Sequence, residues 1–154
     1  MNKSAVLSSL LEELKSQLDR IVSAASEARS YATDPDSKAE NKYDTRTVEA
    51  SYLAAGQAAK AAELAATVDF FTSWSPPDFS GDDPIAVGAL VTLAYPDGGR
   101  LSLLLAPKGG GIVFDSDGQS ITVITPQAPL FQTLESRRQG DETGDPLFRI
   151  VEIG

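Results

Sequence analysis

The chain has 154 residues, the size of one ordinary domain or of a small domain with an appendage. It contains no histidine and no cysteine. It therefore cannot supply a Ser-His-Asp or Cys-His triad, a thiolate nucleophile, or the usual zinc site of nitrogen and sulfur ligands. Any chemistry must use carboxylates, lysines, hydroxyls or the backbone.

The charge balance is acidic, with 13 Lys and Arg against 22 Asp and Glu and a formal net charge of -9. Such a surface disfavours binding to free nucleic acid, which is driven by contacts to phosphates. No apolar run approaches the roughly 20 residues of a membrane span, and the start of the chain does not have the apolar core of a signal peptide. We therefore expect a cytoplasmic protein with no membrane contact.

A regular apolar stripe dominates the beginning of the chain. Its members are alternately four and three residues apart, which is the spacing of a coiled-coil seam. They are Leu7, Leu11, Leu14, Leu18, Ile21, Ala25 and Ala28. The stripe predicts a helix from about Ser4 to Ala32, ended by a turn at Thr33-Asp34-Pro35-Asp36 because proline cannot continue a helix.

A second, alanine-rich helix is predicted from Asp36 or Ser37 to about Thr72. Its predicted seam consists of Val48, Tyr52, Ala55, Ala59, Ala62 and Ala66. A short connection favours an antiparallel helical hairpin. Residues 1–75 are thus predicted to form a coiled-coil hairpin with an acidic tip near residues 33–45.

The helical period stops at Trp74, and residues 76–84, rich in Pro, Asp and Gly, are typical of a linker. Residues 85–154 contain apolar runs separated by turn sequences. The predicted strands are Ile85 to Tyr95, Arg100 to Ala106, Gly111 to Asp115, Gln119 to Thr125 and Leu147 to Ile153. One helix is predicted from about Pro129 to Gln139, ended by Gly140. The second half is therefore predicted to be a small antiparallel sheet with one short helix, and the fold class α+β.

Two passages have a recognisable pattern, namely Ala39-Glu40-Asn41-Lys42-Tyr43 and the run from Ile121 to Ile153. They resemble the bacterial Gre transcript-cleavage factors of the GreA and GreB type. Ala39-Glu40-Asn41-Lys42-Tyr43 is similar to the Glu-Asn-Ala-Glu-Tyr passage that these factors place beside the hairpin tip. The run from Ile121 to Ile153 is similar to the family's C-terminal order of strand, Ser-Pro, helix, Gly-Asp and final strand. Order and spacing agree over essentially the whole chain.

The resemblance implies an FKBP-like second half, without prolyl isomerase activity, that docks on RNA polymerase near its secondary channel. It also implies that the hairpin enters the channel, where tip acids help to hold an Mg²⁺ shared with the polymerase active site. Backtracked RNA would then be cleaved at its 3′ end. By this resemblance the protein is an accessory transcription elongation factor and not an enzyme by itself. It is expected to bind polymerase as a monomer.

Glu40 matches the family's tip glutamate. The family's partner aspartate stands three residues earlier, where this chain has Ser37, and the nearest acid is Asp36. Asp36 and Glu40 are therefore the candidates for metal and water positioning, with Asp34 and Asp44 as spare acids. Carboxylates are the required type of ligand, because Mg²⁺ is a hard cation that takes oxygen ligands.

Other positions have candidate roles as well. Ile124-Thr125-Pro126 corresponds to the family's polymerase-contacting loop, although the family commonly has an acid where this chain has Ile124. Lys42 and Arg46 could contact RNA phosphate or neutralise nearby acids. Two alternatives stay open: a channel-binding regulator that inhibits or modulates transcription without cleavage, and a coiled-coil interaction module unrelated to transcription.

Overall fold

The computed structural model describes residues 1–33 and 46–154, and the side chains outside residues 25 and 28–54. The chain forms two compact units. One contains Met1–Leu10 together with Ser73–Gly154, and the other contains Leu11–Thr72. We call them the sheet unit and the helix unit. Within the described ranges, no helix combines the length and apolar character needed to cross a membrane.

Two long helices precede the sheet, as predicted. Helix α1 spans Lys3–Thr33, 31 residues, and helix α2 spans Arg46–Ser73, 28 residues. The predicted bounds of α1 and the end of α2 are confirmed to within one residue. The predicted turn after Thr33, and the predicted start of α2 at residue 36 or 37, lie outside the described residues.

The buried stripe of α1 differs from the predicted seam near its start. Val6, Leu10 and Leu14 are fully buried, whereas Leu7 and Leu11 of the predicted seam are half-buried. Val6 and Leu10 are part of the sheet unit. The first turns of α1 therefore bury a second stripe, one position before the coiled-coil seam, because they belong to the core of the sheet unit.

The predicted seam of α2 is wrong in its described part. Ala55, Ala59, Ala62 and Ala66 are all exposed. The less exposed positions include Leu64, Val68 and Phe71, of which Phe71 is buried. Leaving an alanine side chain exposed to water costs little free energy, because its apolar area is small. The larger apolar side chains therefore determine which face of α2 is covered. The side chains of Val48 and Tyr52 lie outside the described residues.

Six strands form one sheet in the order β3-β4-β2-β1-β6-β5. The strands are β1 Leu90–Ala94, β2 Arg100–Leu105, β3 Val113–Ser116, β4 Gln119–Ile124, β5 Glu142–Thr143 and β6 Phe148–Ile153. The α+β class is confirmed. The sheet is mixed, however, and not antiparallel throughout, because β2 and β4 pair in parallel. The β3-β4 hairpin places β4 against β2 and leaves β3 at the edge.

The two faces of the sheet are covered differently. One face holds the main apolar cluster, which includes Phe131 and Leu134 of the short helix α3, Pro129–Leu134. The opposite face includes Leu104 and Ile121, which are buried outside that cluster. The start of α1 contacts this second face, where Ser9 Oγ donates to Ser116 Oγ at 3.1 Å. We call it the α1 face.

Two predicted elements are shorter in the structure, and one pair of hydrogen bonds explains both. Strand β1 begins at Leu90, not Ile85, and α3 ends at Leu134, not Gln139. Ser136 N donates to Ile85 O at 2.9 Å, and Ile85 N donates to Arg137 O at 2.7 Å. Ser136 also adopts a left-handed backbone with φ 69°, which ends the helix before Gly140.

Candidate functional site

The predicted tip residues cannot be located in the structure. Asp34, Asp36, Glu40, Lys42 and Asp44 all lie in residues 34–45, outside the described residues. Arg46 is the first residue of α2, but its side chain is also outside them. Within the described ranges, no three acidic side chains are close enough together to hold a metal ion. The metal-binding and catalytic roles predicted for the tip stay predictions.

The predicted polymerase-contacting residues lie at the end of strand β4, with Ile124 as its last residue. The side chain of Ile124 is only 8% exposed and belongs to the apolar cluster of the sheet unit. Thr125 is half-buried and Pro126 is exposed. Of the three predicted residues, only Thr125 and Pro126 have accessible side chains, because Ile124 contributes its side chain to the core.

A tight turn holds these two residues in place. Thr125 O accepts a hydrogen bond from Ala128 N at 2.9 Å, and Pro126 O accepts one from Gln132 Nε2 at 3.3 Å. Pro129 then opens α3, a position where proline costs no hydrogen bond. Residues 125–127 are therefore anchored at both ends, by the sheet and by α3. We call them the docking turn.

The glycine-rich loop between β2 and β3 lies beside the docking turn. A Cβ atom built on Gly110 would be 3.0 Å from Thr125 Oγ1 and 3.1 Å from Thr125 Cγ2. Gly111, with φ 88°, donates its N–H to Val123 O at 2.9 Å. The loop can approach Thr125 this closely because Gly110 has no side chain. The sequence predicts a turn before Gly111 and a strand from Gly111, and it gives no sign of this contact.

An aromatic groove was also missed. The sequence shows Tyr95 and Phe148 as isolated aromatics, but their rings meet edge to face with centroids 5.9 Å apart. Strands β1 and β6 are antiparallel, which brings the end of one beside the start of the other. Cavities of about 240 and 200 Å³ flank Phe148, and Leu130, Pro146 and half-exposed Leu147 complete their apolar lining. Both cavities are smaller than ordinary ligand pockets. We therefore describe the groove as an apolar surface and assign no ligand to it.

An anchored lysine fixes the start of α1 within the sheet unit. Lys3 Nζ donates to Pro77 O and lies 4.9 Å from the centroid of the Phe79 ring. Burial lowers the pKa of Lys3, and the charge of Asp78 opposes that shift. The predicted linker is thus partly ordered by contact with α1. These contacts position the beginning of the first helix and do not form a reactive site.

Comparisons with known proteins find no matching family model and no matching curated protein. Solved structures do resemble the chain. One is described as GreA factor homolog 1 (Gfh1) of Thermus thermophilus, with 22% identity, coverage of 94% of both chains and a TM-score of 0.39. A structure of the transcription factor Gfh1 has 23% identity, coverage of 93% of this chain and 92% of that chain, and a TM-score of 0.39.

A third similar structure is Gfh1 of Thermus aquaticus, with 21% identity, coverage of 92% of both chains and a TM-score of 0.36. These descriptions name a homologue of GreA, which is the kind of factor that the two sequence passages resemble. With TM-scores below 0.5, the likenesses establish neither an activity nor a partner for this chain.

Proposed function

We propose that this protein is a Gre-like transcription elongation factor that binds RNA polymerase, inserts its helix pair into the secondary channel and stimulates cleavage of backtracked RNA. In this role it is an accessory factor. The polymerase active site performs the hydrolysis, and the protein contributes carboxylates to it.

The observation that carries the proposal is the position of the acidic segment between two long helices. Helix α1 ends at Thr33 and α2 begins at Arg46, so residues 34–45 connect the two. At about 1.5 Å per residue, the helices measure roughly 45 and 40 Å. The connecting segment contains the candidate acids Asp34, Asp36, Glu40 and Asp44. Long helices that lead to a group of carboxylates suit delivery of those carboxylates into a narrow site.

The available ligands fit magnesium in type. The segment supplies carboxylate oxygens, which Mg²⁺ prefers, and the chain has no histidine or cysteine that would favour a softer metal. When bound, a second Mg²⁺ stabilises the attacking and leaving oxygens of a phosphoryl hydrolysis. Asp36 and Glu40 would hold the ion together with polymerase ligands, and the protein is expected to hold none alone.

Docking is assigned to the sheet unit. The docking turn presents Thr125 and Pro126, and the loop that contains Gly110 lies against it. Lys42 and Arg46, close in sequence to Glu40, are the proposed contacts to the RNA 3′ end, since cations beside acids moderate repulsion from phosphate. These assignments extend the sequence resemblance to the side chains that the fold leaves accessible.

A cleavage assay tests the proposal. Stalled, backtracked elongation complexes are incubated with Mg²⁺ and either the wild-type protein or the variants Glu40→Ala and Asp36→Ala. We expect the wild type to shorten the transcript and both variants to lose at least roughly tenfold in rate, as expected for loss of a metal ligand. Glu63→Ala, at an exposed position of α2, is the matched control. Wild-type binding to polymerase without any shortening would contradict the cleavage function.

A channel-binding regulator that does not cleave RNA is the second candidate, and one observation favours it. Ser37 stands where the family has the partner aspartate, and Asp36 is one residue further from Glu40. A regulator of this kind would bind polymerase and slow nucleotide addition, and Glu40→Ala would leave that effect unchanged. Failure to bind polymerase at all would instead support a coiled-coil interaction module outside transcription.

A further inference from the structure

A polar pocket interrupts the otherwise apolar α1 face of the sheet. It has a volume of about 280 Å³. Its lining consists of Thr92, Arg100, Ser102, Gln119, Ser120 and Glu152. None of these residues belongs to the docking turn or to the acidic segment. The pocket is therefore built from residues that the proposed function does not use.

Strand register brings the polar side chains together. Thr92 of β1 pairs with Ser102 of β2 on one side and with Glu152 of β6 on the other. A β-bulge follows at Thr92/Leu93, because Leu93 pairs with Ile150 and Val151 is left over. In a regular strand, Ile150 and Glu152 would lie on the same face of the sheet. The extra residue lets Ile150 and Ile153 both face the core, while Glu152 lies on the opposite face with Thr92. The bulge thus directs the Glu152 carboxylate to the pocket.

The hydroxyl of Thr92 has no hydrogen-bond partner among the residues that the structure describes. Thr92 is 5% exposed and its Oγ1 is fully buried, yet in the described part of the chain nothing bonds to this atom. A buried polar atom without a partner is costly, and such atoms are normally bonded to protein, to water or to a ligand. Thr92 also lines the pocket, so this hydroxyl belongs to a residue of the pocket wall.

The charges of the pocket define what fits. Arg100 is exposed, and no ion pair involves it within the described part of the chain. The Glu152 carboxylate accepts from the Met1 amino group through Oε1 at 2.6 Å, which leaves Oε2 for a second donor. One open cation and one available acceptor therefore lie across a small space that also contains hydroxyl groups.

We propose that this pocket binds a small free amino acid. Its carboxylate would take two parallel hydrogen bonds from the Arg100 guanidinium, and its ammonium group would donate to Glu152 Oε2. Thr92 Oγ1 would donate to the ligand carboxylate or accept from the ligand ammonium. Inorganic phosphate, which Arg100 would also attract, lacks the ammonium group that would donate to Glu152 Oε2.

The size agrees with this class of ligand. The volume of about 280 Å³ exceeds the share of several water molecules, each roughly 30 Å³ in the liquid, and lies just below that of pockets for drug-sized ligands. A free amino acid with a side chain as short as that of alanine or serine is smaller than this volume. Binding here needs no polymerase, so the inference goes beyond the proposed function and does not depend on it.

The test is a titration of the full-length protein followed by ¹H–¹⁵N NMR. L-Alanine and L-serine are expected to give saturable shifts at the amides of Thr92, Arg100 and Ser102, with Kd near 1 mM, about -4 kcal/mol. Acetate lacks the ammonium group and ethylamine lacks the carboxylate, and each should bind at least roughly tenfold more weakly. Inorganic phosphate is the competing probe.

Variants separate the pocket from a general charge effect. Arg100→Gln should weaken amino-acid binding roughly tenfold, whereas Arg137→Gln, an exposed arginine outside the pocket, should leave Kd unchanged. Thr92→Val should weaken binding and Thr92→Ser should restore it, because serine keeps the hydroxyl. No saturable shift with either amino acid, tighter binding of phosphate, or equal responses of the Arg100 and Arg137 variants would overturn the proposal.

Discussion

The two units of the molecule bury their apolar side chains in different ways. Among the described residues, the only fully buried apolar side chains of the helix unit are Leu14 and Phe71, and all the others belong to the sheet unit. The sheet unit therefore buries apolar side chains on both faces of its sheet. The described part of the helix unit has a narrow stripe, and much of its surface is exposed alanine. Its stability depends on few contacts, and its surface tolerates change.

The largest expected effect is the loss of a core aromatic of the sheet unit. Phe131 is 1% exposed, and Phe131→Ala should lower the free energy of unfolding by about 3–5 kcal/mol. Urea unfolding measures the loss. Phe70→Ala in α2, where the ring is half-buried, is the counterpart in the helix unit and should cost less than half as much. Equal losses of unfolding free energy for Phe131→Ala and Phe70→Ala would contradict the difference in burial between the two units.

A glycine in the sheet unit should be nearly as sensitive. Gly144 has φ 96°, and an added Cβ would lie 2.3 Å from Phe148 Cε1. Gly144→Ala should therefore cost about 2–3 kcal/mol, from backbone strain together with displacement of the ring. Gly98 also has positive φ, 89°, but has nothing within 4 Å of its Cβ position. Thermal unfolding of Gly98→Ala should show only the backbone cost, about 1 kcal/mol.

The covered face of α2 can be tested with a smaller substitution. Leu64 is half-buried. Leu64→Ala removes three partly buried carbon atoms and should lower the free energy of unfolding by about 1–2 kcal/mol. Ala62→Ser on the exposed face should change the free energy of unfolding by less than about 0.5 kcal/mol. Chemical denaturation of both variants compares the two faces. A larger loss of unfolding free energy for Ala62→Ser than for Leu64→Ala would support the α2 seam predicted from the sequence.

The smallest effect concerns a surface carboxylate of the sheet unit. Hydrogen bonds from the backbone N–H of Ser80 and then from its hydroxyl hold the pKa of Asp83 below the ordinary 3.8. Because the pKa is lower in the folded state, the stabilisation is present above pH 3.8 and is lost as pH falls through the lowered value.

Two neighbouring variants check this pH dependence. Asp83→Asn should lose stability near neutral pH and show less further loss in acid than the wild type, as measured by thermal unfolding across pH. Asp82→Asn removes a charge at the next, exposed position and should keep the wild-type acid dependence. Identical pH profiles of the two variants would show that the bonds from Ser80 do not matter.

Several boundaries were predictable because local chemistry determines them. Strands β2 and β4 begin at Arg100 and Gln119, directly after glycine-containing turns. Helix α1 is bounded within one residue of the prediction, because its stripe and the following Pro35 are local signals. In each case, a residue within a few positions is enough to start or end the element.

The differences arise where distant parts of the chain meet. Hydrogen bonds of Ile85 with Ser136 and Arg137 shorten β1 and α3. The sequence near either segment does not predict these hydrogen bonds. The parallel pairing of β2 with β4 likewise depends on strand order. The polar pocket could have been suspected, since Thr92 and Ser102 interrupt apolar strands, but only the register places them side by side.

The division of α1 between the units has a consequence for how the protein is made. Met1–Leu10 are synthesised before the helix unit, but they complete the sheet unit, whose strands are synthesised after it. During translation, Val6 and Leu10 therefore lack the contacts that bury them in the sheet unit until its strands have been synthesised. A fragment limited to residues 85–154 would expose the apolar part of the α1 face and should aggregate. The N-terminal turns of α1 are, in this sense, the last piece of the C-terminal domain to be put in place.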